Sequence, residues 1–452
     1  MHIARPRILA ALTACALVLP SAALAQTPAE VSGETVTVTT LQAPDLFSAA
    51  GRDTGLGPDL WQDASAATAR TVIPLLAERP LSPAASALAR AVLATGARGP
   101  RGAGEELGMA AARARTLIVL GEIAAARSIL ARSGGVERHE GLSRAAADAA
   151  LLAGDDAAAC EAAQALSVDR DQIYWLRLRA YCQALAGAPA AQLTLDLAQN
   201  VERDAVFGRL LGARLAGSGD PGAPSLRNSL DYALSRNLGL DLSEAEPAAP
   251  IAAPIAAALA GEAPPQTARW PVIATEGPVA AAVAVLAQGD LALAENVRAT
   301  LIQDEIPQAE VLDLALLDAL IAAAAGRHDR PTLDRLVERG GIGEARDRRR
   351  AQDAALLLSA LGTPFDPQAR GEFAAFAIAA PKAPPARIFA MEQAARSALQ
   401  GETALLALWT SAEAGATGPA PADRARIIAA LSAAGLADHA RAFAVEGLLA
   451  LR

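Results

Sequence analysis

Short Leu/Ala-rich runs in this chain end again and again at a glycine, and the interval between those glycines constrains the fold more than any single motif. Strong members are Leu120-Gly121-Glu122, Ala153-Gly154-Asp155, Ala186-Gly187-Ala188, Gln288-Gly289-Asp290, Ala325-Gly326-Arg327, Gln400-Gly401-Glu402 and Ala434-Gly435-Leu436, with Gly217, Gly261 and Gly362 as weaker ones. The successive spacings are 33, 33, 30, 44, 28, 37, 36, 39 and 34 residues, averaging about 35. That length holds one hairpin of two helices of about four turns each, with the glycine taking the positive φ at which the first helix stops.

Neither helix of such a unit can bury its apolar stripe alone, so the expectation is a stack of hairpins with a continuous core. The composition suits close helix approach. The chain has 452 residues, 118 of them alanine, and aromatic residues make up only 3%. Alanine falls five residues after the glycine at Ala126, Ala159, Ala294 and Ala440, where two helices would come closest.

The pattern resembles the tetratricopeptide repeat (TPR), whose helix-turn-helix unit has a turn glycine and a small residue at that later position. The best segments are 107–132, 142–166, 172–198, 278–302 and 423–448, and the resemblance spans about residues 104–452. The family's early Trp, mid-helix Gly and closing Pro are not regularly present. The resemblance implies an all-α, right-handed solenoid of TPR-like hairpins, with about ten degenerate repeats of roughly 35 residues. The stretch from Tyr174 to Gly187 is also similar to segments of secreted bacterial helical proteins.

Five zones are expected. Residues 1–25 read as a secretory signal: Arg5 and Arg7, an apolar run over 8–19, then Ala23-Leu24-Ala25 with cleavage between Ala25 and Gln26. A competing feature, Leu12-Thr13-Ala14-Cys15, would make a lipoprotein anchored at Cys15. Residues 26–57 are polar and predict an extended or disordered arm. Residues 58–218 form a first repeat block, opening with a hairpin over 58–97. In 219–277 the period slackens and prolines accumulate, predicting an irregular connection, and 278–452 form a second block.

The signal places the protein in the periplasm. The full chain has a net charge of −9, and removing residues 1–25 takes away two arginines and no acid, giving −11, which disfavours nucleic acid as a partner. The longest later apolar run, 247–261, is too short to cross a bilayer and contains Pro247, Pro250 and Pro254. Cys160 and Cys182 remain after cleavage, and an oxidising compartment makes a disulfide clamping two consecutive helices the default; a pair of buried thiols is the other reading.

Chemistry is hard to find. His139, His328 and His439 lie in different repeats without ligand spacing, so no metal is expected; His139-Glu140 fails as a zinc-protease helix because Ser143 stands where the second His would be. Gly102, Gly104 and Gly108 do not follow a strand and have the wrong spacing for a dinucleotide loop, and no Gly-x-Ser-x-Gly elbow occurs. No catalytic constellation and no cofactor are therefore expected. Tyr174 and Trp175 are candidates for lining a recognition groove, with core packing as the alternative. Arg346, Arg348, Arg349 and Arg350 are candidates for docking an acidic partner, with a solvated helix face as the alternative.

The functional expectation is a periplasmic scaffold or accessory factor of an envelope machine that binds a protein or peptide. Two alternatives stand beside it: a small-ligand or glycan binder or enzyme with a pocket between the two helical blocks, near 219–277, and a structural homo-oligomer.

Overall fold

A computed structural model describes residues 45–217, 220–261, 268–269, 278–301 and 311–451. The predicted signal, its cleavage site at Ala25 and Gln26, Cys15 and residues 26–44 lie outside the described residues. Within them the chain is all-α, with twenty-one α-helices and no strand. The helices are α1 (Ala66–Glu78), α2 (Pro83–Ala94), α3 (Leu107–Val119), α4 (Ile123–Leu130), α5 (Glu140–Leu152), α6 (Asp156–Ala165), α7 (Ile173–Leu185), α8 (Ala191–Val201), α9 (Ala205–Ala216), α10 (Ser229–Asn237) and α11 (Ala252–Ala260). They continue with α12 (Pro278–Ala287), α13 (Leu291–Ala299), α14 (Val311–Ala325), α15 (Arg330–Gly341), α16 (Ala345–Ala360), α17 (Pro367–Ala374), α18 (Pro385–Arg396), α19 (Gln400–Ala414), α20 (Pro421–Ala433) and α21 (Ala437–Leu449).

The turn glycines do what their spacing predicts in six hairpins. Gly121, Gly154, Gly187, Gly289, Gly326 and Gly435 have φ between 65° and 90° and join α3–α4, α5–α6, α7–α8, α12–α13, α14–α15 and α20–α21. Asp155, Asp290 and Asp329 cap the helix that follows, each accepting a backbone N–H three residues on. Ala126, Ala159, Ala294 and Ala440 are all fully buried, as close approach requires. Gly401 departs from the pattern. The left-handed turn there is made by Ala398 (φ 54°), and Gly401 lies in the first turn of α19.

Residues 45–57, expected as part of a loose arm, are packed. Phe47 is fully buried and meets Trp61 edge-on, with ring centroids 6.0 Å apart. Arg113 of α3, also fully buried, donates to the carbonyls of Leu46, Phe47, Ala49, Leu93 and Thr95 at 2.8–3.2 Å. Likewise, residues 220–261 are more than a connection: α10 packs on α5 and α9, and α11 packs on α3, α4 and α5.

An open stack contacts only sequential neighbours. Here the first hairpin also meets the last ones, because α1 packs on α3 and α19, and α2 packs on α19 and α21. Glu402 accepts from Ser65 N and from the Thr68 hydroxyl, both at 2.8 Å, placing a carboxylate at the N-terminus of α1. Glu446, in a buried ion pair with Arg424, accepts from Ala84 N at 2.7 Å at the start of α2.

Candidate functional site

On α5 the residues Glu140, Arg144 and Asp148 are four apart and so share one face. That face lines a groove of about 620 Å³. α1, α3, α5 and α7 supply its walls, with residues 204–207, 227–231 and 250–251; α2, α4, α6 and α8 contribute no lining residue. The groove thus lies within the N-terminal block and is closed by residues 227–231 and 250–251 of the proline-rich segment.

Asp148 organises the centre. Its carboxylate accepts from the Tyr174 hydroxyl at 2.8 Å and from the Ser229 hydroxyl, tying α5, α7 and α10 together. Arg144 lies over the Tyr174 ring, 4.5 Å from its centroid, and 4.0 Å from Asp148. Burial pushes the Asp148 carboxyl above the usual carboxylate range, against the two hydroxyl donors and the attraction of Arg144 and Arg115. Burial, and then the neighbouring Asp148 charge, raise the Tyr174 hydroxyl well above its ordinary range, so it stays a donor.

The far end is internally paired. Arg177 reaches Glu202 at 2.9 Å and Asp204 at 3.7 Å, and Arg227 bridges Asp204 at 3.0 Å and Asp231 at 2.7 Å. Asp204 caps α9 through Val206 N and Phe207 N. Burial would raise its carboxyl, but the Phe207 N–H and Arg227 hold it below the usual range. Two polar atoms on the walls, Glu140 Oε1 and Arg177 Nε, are buried without a hydrogen-bond partner among the described residues. Arg115 is exposed on α3 and makes no ion pair or hydrogen bond among them. Charged and hydroxyl groups thus sit together along the trough.

The residues singled out from the sequence are placed differently. Cys160 and Cys182 are bonded, with Cα atoms 5.6 Å apart, and join α6 to α7. Tyr174 lines the groove, whereas Trp175, its neighbour, is in the core beside it, ring centroids 4.9 Å apart. Arg350 is held by Asp313 at 2.6 Å and by the Leu451 carbonyl at 2.7 Å, and Arg348 by the Gly343 carbonyl at 2.5 Å. Arg346 and Arg349 are exposed on α16. Arg115, Glu140, Arg144, Asp148 and Ser229 were not singled out from the sequence; the four-residue spacing on α5 was the available signal.

A second cavity of about 740 Å³ lies in the C-terminal block, walled by Phe365, Phe373, Phe376 and alanines of α18 and α20. It is more open and mostly apolar, with Glu392, Arg396 and Arg426 on its wall, Arg426 paired to Glu392 at 2.6 Å. Among the described residues no helix is long and apolar enough to cross a membrane. The chain matches no protein-family model, no curated protein and no solved structure.

Proposed function

We propose that the chain is a TPR-like recognition protein of the cell envelope, exported by its N-terminal signal, that receives a segment of a partner protein in the N-terminal groove. The observation that carries this reading is the construction of the groove. Successive helices α1, α3, α5 and α7 line it side by side, with residues of α9, α10 and 250–251 closing it, which makes a trough walled by rigid elements, the geometry that repeat stacks use for extended ligands. The signal-like start, the disulfide and the lack of a membrane-crossing helix among the described residues support the periplasmic assignment. Partner, pathway and assembly state belong to the proposal.

The test is in-cell crosslinking of the tagged protein in its host, comparing the native chain with Ala112→Trp, which fills the trough from α3. A discrete partner captured by the native chain and lost with the variant supports the proposal. Equal capture by both, or capture of nothing while a known envelope complex is trapped, contradicts it.

A further inference from the structure

Phenylalanine occurs seven times in the 452 residues, and three of the seven, Phe365, Phe373 and Phe376, stand on the wall of the C-terminal cavity. Their rings follow one another with centroids 4.7 Å and 5.5 Å apart, yet each is only half-buried. Phe376 is held by close packing, since a methyl group on Gly340 would come within 2.5 Å of its ring. Past α17 the wall continues through 378–381, an apolar stretch outside any helix. α20 adds Ala422, Ala425, Ala429 and Ala433, three or four residues apart and so on one face. Side chains of a single carbon do not fill the space in front of that face, and about 740 Å³ stays open. Ala395, Ala425 and Ala430 are buried and form the floor, whereas Arg396 and Arg426 are exposed and stand at the rim.

The charged residues of this wall do not cancel. Glu392 of α18 is taken by Arg426 of α20 at 2.6 Å. Arg396, one turn after Glu392, donates to the Gln393 side chain at 3.0 Å and has no carboxylate within ion-pair distance among the described residues. Over all the lining residues, two arginines stand against one glutamate. We infer that the cavity binds a small amphiphile, with an aliphatic chain laid against the phenylalanines and alanines and a single carboxylate at the rim beside Arg396. Half-buried aromatic rings and an alanine floor give water few hydrogen-bond partners, so an apolar chain gains by displacing it. The volume falls within the range of about 300–1,000 Å³ that small-molecule sites occupy. A guanidinium at the rim pairs a carboxylate that stays partly hydrated, while a cationic head would meet the surplus arginine. The cavity shares no residue with the N-terminal groove, so the inference is independent of the reading of that groove.

The experiment titrates the purified full chain with decanoate, decanol and decyltrimethylammonium, all below micelle formation. The native chain is compared with Ala429→Trp, which fills the cavity from an exposed position, and with Arg396→Gln, each checked for an unchanged unfolding midpoint. The expected result is one saturable decanoate site, weakened at least tenfold by Ala429→Trp. Decanol should bind about twofold to fivefold less tightly than decanoate, as a partly exposed ion pair allows, and decyltrimethylammonium least. Arg396→Gln should erase the difference between decanoate and decanol. A diazirine-bearing decanoate provides a readout that needs no variant: an adduct within 365–381 or 422–433 supports the site, and one elsewhere overturns it. Equal binding of decanoate and decanol by the native chain overturns the carboxylate assignment. No saturable binding, or binding indifferent to Ala429→Trp, overturns the site. Self-association of the native chain that Ala429→Trp abolishes, without decanoate binding, would make the cavity an interface between copies and overturn the proposal. Flotation with phosphatidylglycerol vesicles in place of decanoate binding would put a bilayer there and overturn it equally.

Discussion

The carboxylate of Glu402 accepts the backbone N–H of Ser65 at 2.8 Å across 337 residues of sequence. It joins the start of α19 to the start of α1, and Gly401 beside it makes the approach feasible. The N–H of Gly401 donates to the Leu60 carbonyl at 2.9 Å, and a methyl group there would collide with that oxygen and come within 2.7 Å of the Trp61 ring. Gly401→Ala is expected to destabilise the chain by about 1–3 kcal/mol, as overpacking does. Gly341→Ala, with open space around it, should change stability by less than about 0.5 kcal/mol. Denaturant unfolding of the two variants checks the difference.

Arg113 should matter more than any surface arginine. Burial lowers its pKa to about 9, which leaves it charged at neutral pH, and its compensation comes from five carbonyls and the Phe47 ring, 5.2 Å away. Arg113→Ala leaves those carbonyls without their donor and is expected to cost about 3 kcal/mol or more. Because three of the carbonyls belong to residues 46–49, limited proteolysis should cut the variant within 45–57, where the native chain resists. Arg113→Lys, lacking the planar fork, should recover only part of the loss.

The Cys160–Cys182 bond closes a short loop, with a sequence separation of 22, and clamps α6 to α7, the helix that presents Tyr174 and Arg177 to the groove. Loop-closure entropy for that length corresponds to about 3 kcal/mol. Paired Cys160→Ser and Cys182→Ser substitutions should lower stability by that order, and a reductant should destabilise the native chain but not the double variant. Equal melting curves for native and variant proteins would contradict the expectation.

Asp148 sets a pH dependence whose sign follows from its environment. Its carboxyl is raised in the folded chain, so the folded state holds this proton more tightly than the unfolded state does. The stabilisation from this group is complete below the ordinary carboxylate range, about pH 4, and is lost as pH rises through the raised value. Asp148→Asn keeps an acceptor for Tyr174 and Ser229, and is expected to be more stable than the native chain at neutral pH, with the advantage vanishing in acid. Melting curves of both proteins across this range measure it.

The hairpins were legible because a helix stopped by a left-handed residue needs glycine at a fixed interval, and Gly121, Gly154 and Gly187 mark it in the sequence. Gly401 has the same spacing for a different reason, close approach to Leu60, and spacing alone does not separate a turn from a contact. The pairing of α1 with α19 was not legible, since it depends on complementary surfaces far apart in the chain. Tyr174 and Trp175 show the limit at single-residue scale: neighbours on a helix point about 100° apart, so one reaches the groove and the other the core. The arginine run at 346–350 was conspicuous as sequence, yet Arg350 serves α14 and the C-terminal end through Asp313 and Leu451. The stripe of Glu140, Arg144 and Asp148 was visible in spacing but looks like any solvated face until α3, α7 and α10 are set around it.

The most direct test of the groove as the recognition surface places a photocrosslinking residue at Gln172, on the groove wall, and separately at Leu193, exposed on α8 away from it, in otherwise native protein in its host. The account predicts a discrete adduct from Gln172 that is lost when Ala112→Trp is added, and none from Leu193. An adduct from Leu193 with none from Gln172 would contradict it and move recognition to the outer helices.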